Sequence, residues 1–152
     1  MSSAPLVDVK NLSVQFGHGS SAARVVNNVS FNIGKGETVA LVGESGSGKT
    51  VSALSILKLL PQSASHPSGE ILFEGKDLMK AGEPEMRKIR GEKISIIFQE
   101  PMTSLNPLHT IEQQVGEILK VHRGMSDAAA RVRVIELLTK VGIRDAESRL
   151  AD

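Results

Sequence analysis

Residues Gly43-Glu44-Ser45-Gly46-Ser47-Gly48-Lys49-Thr50 constrain the fold more than any other part of the chain, because they form a glycine-rich turn between two apolar segments of different kind. Before them, residues 38–42 (TVALV) read as a continuous apolar run, the pattern of a strand buried on both faces of a parallel sheet. After them, Val51, Leu54, Ile56, Leu57, Leu59 and Leu60 give an apolar face to a helix that must stop near Pro61. The eight residues fit G-x-x-x-x-G-K-[ST] in full, in the strand-to-helix context that the pattern requires. Glycines admit backbone conformations closed to other residues, so successive N–H groups converge on phosphate oxygens at a helix N-terminus whose dipole favours anions. Gly46 and Gly48 are the key small positions, Lys49 reaches the β- and γ-phosphates, and the Thr50 hydroxyl is placed to complete the coordination of Mg²⁺. The ligand implied is a nucleoside triphosphate with magnesium. A chance match in a chain of this size has a frequency on the order of one in a few hundred, before the flanking strand and helix are required.

The rest of the chain supplies elements to carry this loop. Val7 and Val9, then Leu12, Val14 and Phe16, alternate as an early strand, and the polar residues 17–21 turn the chain. Val25, Val29, Phe31 and Ile33 form a second strand, closed by Gly34-Lys35-Gly36, so a hairpin is expected. Residues 62–68 have loop composition, 69–73 (GEILF) a short strand, 84–90 a charged helix with Pro near its first turn, and 94–98 (ISIIF) another buried strand. Ile111, Val115, Ile118 and Leu119 share one helical face, as do Val134, Leu137, Leu138 and Val141, giving two amphipathic helices split at Gly124. Ser126 is the expected N-cap of the second and Gly142 its C-terminal stop.

Composition narrows the partners. A chain of 152 residues with 40% hydrophobic and 23% charged residues is of single-domain size and can bury roughly two-thirds of its unfolded surface. A net charge of +1 gives no single-sign field for nucleic acid or an anionic membrane, and four Phe with no Tyr or Trp argue against base-stacking platforms. The lack of cysteine excludes a disulfide framework and agrees with a reducing, cytosolic compartment. No stretch approaches the ~20 apolar residues of a membrane span, so any membrane contact is expected to go through a partner. His18, His66, His109 and His122 have no metal-ligand spacing and read as surface or loop residues. The charges between Lys76 and Lys93 are mixed in sign and read as a solvated face.

Gln99 stands at the end of the 94–98 run, followed by Glu100-Pro101-Met102-Thr103-Ser104-Leu105-Asn106-Pro107. Open α/β sheets bind ligands at the carboxyl ends of their strands, so Gln99 is placed to contact Mg²⁺ or orient an attacking water; the competing role is a helix-capping or loop-stabilising amide. A loop reading GESGSGKT after TVALV, followed by IIFQEPMTSLNP, closely resembles the nucleotide-binding subunits of oligopeptide, dipeptide and nickel ABC importers. The phrase NPLHTIEQQVGEILKVHRGMS is most similar to the tandem-cassette ATPases of microcin C and related peptide uptake systems.

The resemblance implies an α/β P-loop NTPase fold over residues 1–152: an N-terminal antiparallel β portion, part of a RecA-like core and part of a helical subdomain, C-terminally incomplete. It implies ATP and Mg²⁺ as ligands, held by the residues from Gly43 to Thr50. It implies that Phe16 stacks on adenine, where core packing is the competing role, and that Gln99 is the Q-loop glutamine linking nucleotide to a transmembrane partner. Residues 100–107 then face the coupling helix of a permease subunit. A second cassette and permease subunits are the implied partners, at the cytoplasmic face of the inner membrane. The LSGGQ-type helix start, the second acidic strand with its catalytic glutamate and the switch histidine do not occur in residues 1–152, so hydrolysis by this chain alone is expected to be poor or absent. Strands supplied elsewhere would leave an unpaired apolar edge. A GTPase would want N-K-x-D, which does not occur; a kinase lid is not identifiable; a non-catalytic remnant of a truncated gene is the remaining alternative.

Overall fold

A computed structural model describes residues 4–98 and 105–152, which fall into two compact units, Met1–Arg87 and Lys88–Asp152. The first unit is built on a four-stranded antiparallel sheet in the order β2-β1-β3-β4, from β1 (Val7–Phe16), β2 (Ala23–Ile33), β3 (Ala64–Phe73) and β4 (Lys76–Asp77). β1 is central, pairing Val7 with Ile33 on one side and with Phe73 on the other. The expected hairpin is present, with a single 3-10 turn, Gly19–Ser21, between its arms.

The apolar pattern of β1 changes phase between Val9 and Leu12, and the backbone accommodates it. Asn11 takes a φ of 49°, the register shifts there, and Val7, Val9, Leu12 and Val14 all turn to one buried side. Serine hydroxyls satisfy the N–H groups displaced from the ladder. Asn11 N–H donates to Ser30 Oγ at 2.8 Å, and Asn28 N–H, itself at a φ of 53°, to Ser13 Oγ at 3.1 Å. Ile71, Phe73, Val26, Leu78 and Met86 complete this core. Helix α1 (Lys49–Ile56) packs on β1 and β2, and α2 (Glu83–Ile89) begins with Glu83 and Glu85 in its first turn, as the helix dipole favours.

Two expected strands do not form. Residues 38–42 and 94–98 belong to no sheet among the described residues, and Val42 and Ile97 are 93% and 98% exposed. A run buried on both faces requires a strand on either side of it, and no described strand pairs with either segment. Conversely, β3 begins at Ala64, within the stretch whose composition reads as loop, because Ala64 and Ser65 pair with Phe16 and Gln15.

The second unit is helical. α3 (Ile111–Arg123) and α4 (Asp127–Lys140) pack together, with Gly116 facing Val134, which is fully buried. A capping box starts α3, Thr110 Oγ accepting from Gln113 N–H and Gln113 Oε1 from Thr110 N–H. Gly124, at a φ of 61°, ends α3; Ser126 caps α4; Gly142 follows α4 with a φ of 85°. Arg131 of α4 ties the unit together, donating to Glu112 at 2.7 Å and to Glu147 at 3.5 Å. No described helix is long and apolar enough to cross a membrane.

Candidate functional site

The glycine-rich loop ends where α1 begins. Ser47 N–H donates to Glu44 O at 3.2 Å, closing a turn, and the chain passes through Gly46 at a φ of 80° and Gly48 at 86°. The two glycines answer different demands. A Cβ on Gly46 would meet nothing within 4 Å, so the backbone angle alone selects glycine there. A Cβ on Gly48 would stand 2.9 Å from Val25 O and 3.0 Å from Val26 Cγ2, so here the loop also lies tight against β2.

Gly48 is the N-cap of α1 and no side chain caps the helix. The first amides of α1 therefore sit where a helix N-terminus offers N–H groups and positive potential to an anion. Lys49, the first helical residue, folds its side chain back over the loop, its Nζ donating to Gly43 O at 2.8 Å, Glu44 O at 2.7 Å and Ser47 Oγ at 3.3 Å. An ammonium has three N–H donors, and these three acceptors use them all. Thr50 is exposed in the first turn, with its hydroxyl on the same end of the helix as Lys49. Gly43, Glu44, Ser45, Gly46, Ser47, Gly48, Lys49 and Thr50 thus form one continuous turn leading into the first turn of α1.

α1 is oriented by a face that the apolar pattern did not single out. Its fully buried residues are Ser52 and Ser55, while Val51, Leu54 and Ile56 are half-buried. Ser52 Oγ donates to Gly48 O at 2.9 Å and Ser55 Oγ to Val51 O at 2.8 Å, which lets hydroxyls lie against the sheet with their hydrogens satisfied. The helix stops at a Schellman turn: Lys58 N–H donates to Ser55 O and Leu59 N–H to Leu54 O, with Lys58 at a φ of 52°. That strained lysine is anchored by its own side chain, Nζ donating to Met79 O at 3.0 Å and Ala81 O at 2.9 Å.

Phe16 lies at the end of β1, half-buried, paired in register with Ala23 and Ala64. Gln99 and residues 100–104 lie outside the described residues. Of the four histidines, His18, His109 and His122 are exposed as expected, whereas His66 is a correction. It sits in β3, half-buried, with Nε2 3.1 Å from Ser55 Oγ. Burial, and after it the charge of Lys58, hold its imidazole below the ordinary value of 6.5. The only sequence signal was its position between the end of α1 and the apolar run of 71–73. No group of His, Asp and Glu among the described residues is arranged to hold a metal ion.

The chain matches the ABC transporter family over residues 26–152. It is 59% identical over 147 residues to the peptidoglycan transport ATP-binding protein YejF of Agrobacterium fabrum, covering 96% of this chain and 27% of that protein. It is 46% identical to the dipeptide transport ATP-binding protein DppD of Lactococcus lactis, covering 100% of this chain and 44% of that one. The chain therefore spans less than half the length of these relatives. Among solved structures it is similar to the dimeric bacterial ABC transporter cassette MJ0796, with a TM-score of 0.79 and 30% identity over 96% of this chain and 60% of that one. The same cassette bound to ADP and Pi superposes with a TM-score of 0.76 at 28% identity, over 95% of this chain and 60% of that one.

Proposed function

Because this chain belongs to the ABC transporter family, we propose that it binds the phosphates of MgATP in the loop from Gly43 to Thr50, as part of a cassette that energises peptide uptake. The observation that carries this reading is the uncapped start of α1, reached through two glycines of positive φ and overhung by the Lys49 ammonium. The loop amides and the first amides of α1 hold phosphate oxygens, Lys49 exchanges a loop carbonyl for a phosphate oxygen, and the exposed Thr50 hydroxyl is the magnesium ligand. Bound Mg²⁺ would neutralise phosphate charge there. Phe16 is assigned to the adenine and Gln99 to the magnesium or the attacking water, with residues 1–152 forming part of one nucleotide-binding domain.

The name of the dipeptide transport relative supports peptides as cargo, and the dimeric cassette supports pairing with a second cassette; permease subunits are the partners that a role in uptake would require. Such a protein works at the cytoplasmic face of the inner membrane, held there by the permease. Hydrolysis needs a group that positions water and further charge at the γ-phosphate, and the motifs that supply them in this family do not occur in residues 1–152. Hydrolysis by residues 1–152 alone is accordingly expected to be poor or absent.

The test is a titration of a fluorescent ATP analogue with Mg²⁺, followed by anisotropy, on the wild-type chain and on Lys49→Ala and Thr50→Ala. Saturable binding that ATP displaces, weakened about tenfold or more in Lys49→Ala, is expected, since loss of a charge-assisted contact is worth ~1.5–3 kcal/mol. No displaceable binding, or equal affinity in Lys49→Ala that retains its fold by circular dichroism, would overturn the reading. A parallel phosphate-release assay is expected to show no turnover dependent on Mg²⁺ and Lys49.

A further inference from the structure

We propose that His66 is a positioning residue for the phosphate loop, and that its protonation releases α1 from β3 and weakens nucleotide binding. The inference rests on the nucleotide reading above and assigns that site a control outside the loop itself.

α1 has only eight residues, too few to be stable as a helix without tertiary contacts, so its position depends on what its buried face touches. That face carries two hydroxyls, each bonded to the carbonyl four residues before it. Ser52 binds Gly48 O at the mouth of the loop, Ser55 binds Val51 O one turn later, and His66 of β3 meets Ser55. The Ser55 hydrogen is committed to Val51 O at 2.8 Å, so toward His66 the hydroxyl accepts. Nε2 therefore carries the hydrogen in the neutral imidazole, and Nδ1 is the atom that gains a proton.

Protonation at Nδ1 creates a cation in a half-buried place, with Ser55 fully buried on one side. The charged group acting on it is Lys58, fixed at the end of α1 by its two carbonyl bonds to Met79 and Ala81 and so unable to swing away without breaking them. On β1, the residues registered with this part of β3 are Ser13, Gln15 and Phe16, none of which titrates or carries charge to offset the new cation. Burial disfavours the imidazolium, as does the fixed ammonium. The direct relief is separation of β3 from the α1 C-terminus, which tilts the helix whose other end carries Lys49 and Thr50. By linkage, a nucleotide that requires α1 in place must in turn make His66 harder to protonate.

The experiment compares binding of the fluorescent ATP analogue with Mg²⁺ at pH 7.5 and pH 5.5 in the wild-type chain and in His66→Gln, which retains an N–H donor but does not titrate. Titration of the ligand's own phosphate is common to both proteins and cancels in the comparison. The wild type is expected to lose about fivefold more affinity over this range than His66→Gln, the lower end of usual coupling between sites. Coincident pH profiles with intact binding at pH 7.5 would overturn the proposal while leaving the nucleotide reading standing. Absence of Lys49-dependent binding at pH 7.5 would overturn both. If His66→Gln does not fold, the NMR titration of the wild-type imidazole decides. MgATP is expected to lower its midpoint, and an unchanged or raised midpoint refutes the proposal.

Discussion

Gly48→Ala and Gly46→Ala remove glycines two residues apart with nearly equal positive φ, yet the structure separates their consequences. At Gly46 an added methyl enters open space, so the substitution is strained only through its backbone angle, about 1–2 kcal/mol for an L-residue in the left-handed region. At Gly48 the same strain is joined by contacts of 2.9 Å to Val25 O and 3.0 Å to Val26 Cγ2. The nearer of these is backbone of β2, which cannot rotate aside, and overpacking of that kind adds about 1–3 kcal/mol. The totals are roughly 2–5 kcal/mol for Gly48→Ala against 1–2 kcal/mol for Gly46→Ala. With a urea dependence of ~2 kcal/mol/M, the unfolding midpoint falls by about 1–2.5 M in the first variant and about 0.5–1 M in the second. The chain has no Trp or Tyr, so far-UV circular dichroism is the suitable probe. Equal shifts, or a larger shift for Gly46→Ala, would refute the argument that the loop is held tight against β2 at Gly48.

Two further predictions concern stability elsewhere. His66 has a folded-state value below the 6.5 of the free side chain, so the unfolded chain binds more protons between the two. Stability is therefore fully present above pH 6.5 and declines as pH falls through that value, and thermal melts from pH 7.5 to 5.5 should show a downward drift that is smaller in His66→Gln. In the helical unit, Thr110→Ala removes the acceptor for Gln113 N–H and should lower stability by about 1 kcal/mol, while Thr110→Ser should restore it, both read from urea midpoints.

The loop and the helices were legible in the sequence because their signals are local. The glycines, lysine and threonine of residues 43–50 carry their geometry in eight consecutive positions, and Ser126, Gly124 and Gly142 mark helix ends by side-chain and backbone chemistry within one turn. Residues 38–42 and 94–98 misled for the opposite reason. Apolar continuity says what surroundings a segment suits, while a ladder depends on partners that must lie within reach, and none is present among the described strands. The serine face of α1 was hidden because hydroxyls count as polar in any periodicity, although here each donates to a carbonyl of its own helix and can be buried. His66 was read as a surface residue because no spacing pattern relates it to Ser55, eleven positions earlier; only the return of β3 past α1 brings the two together.

The side chain of Lys49 has a bearing on how loss-of-function variants of this loop are read. Its ammonium is a clasp as well as a ligand-binding group, closing the loop on itself through Gly43, Glu44 and Ser47. Removing it takes away the positive charge and also frees two backbone carbonyls to pull the loop toward water. A Lys49→Ala protein is thus an altered receptor rather than an intact one with a single contact deleted. Some of its lost affinity belongs to loop order, and comparison with Lys49→Arg, which keeps a cation and several donors at that position, separates the two contributions.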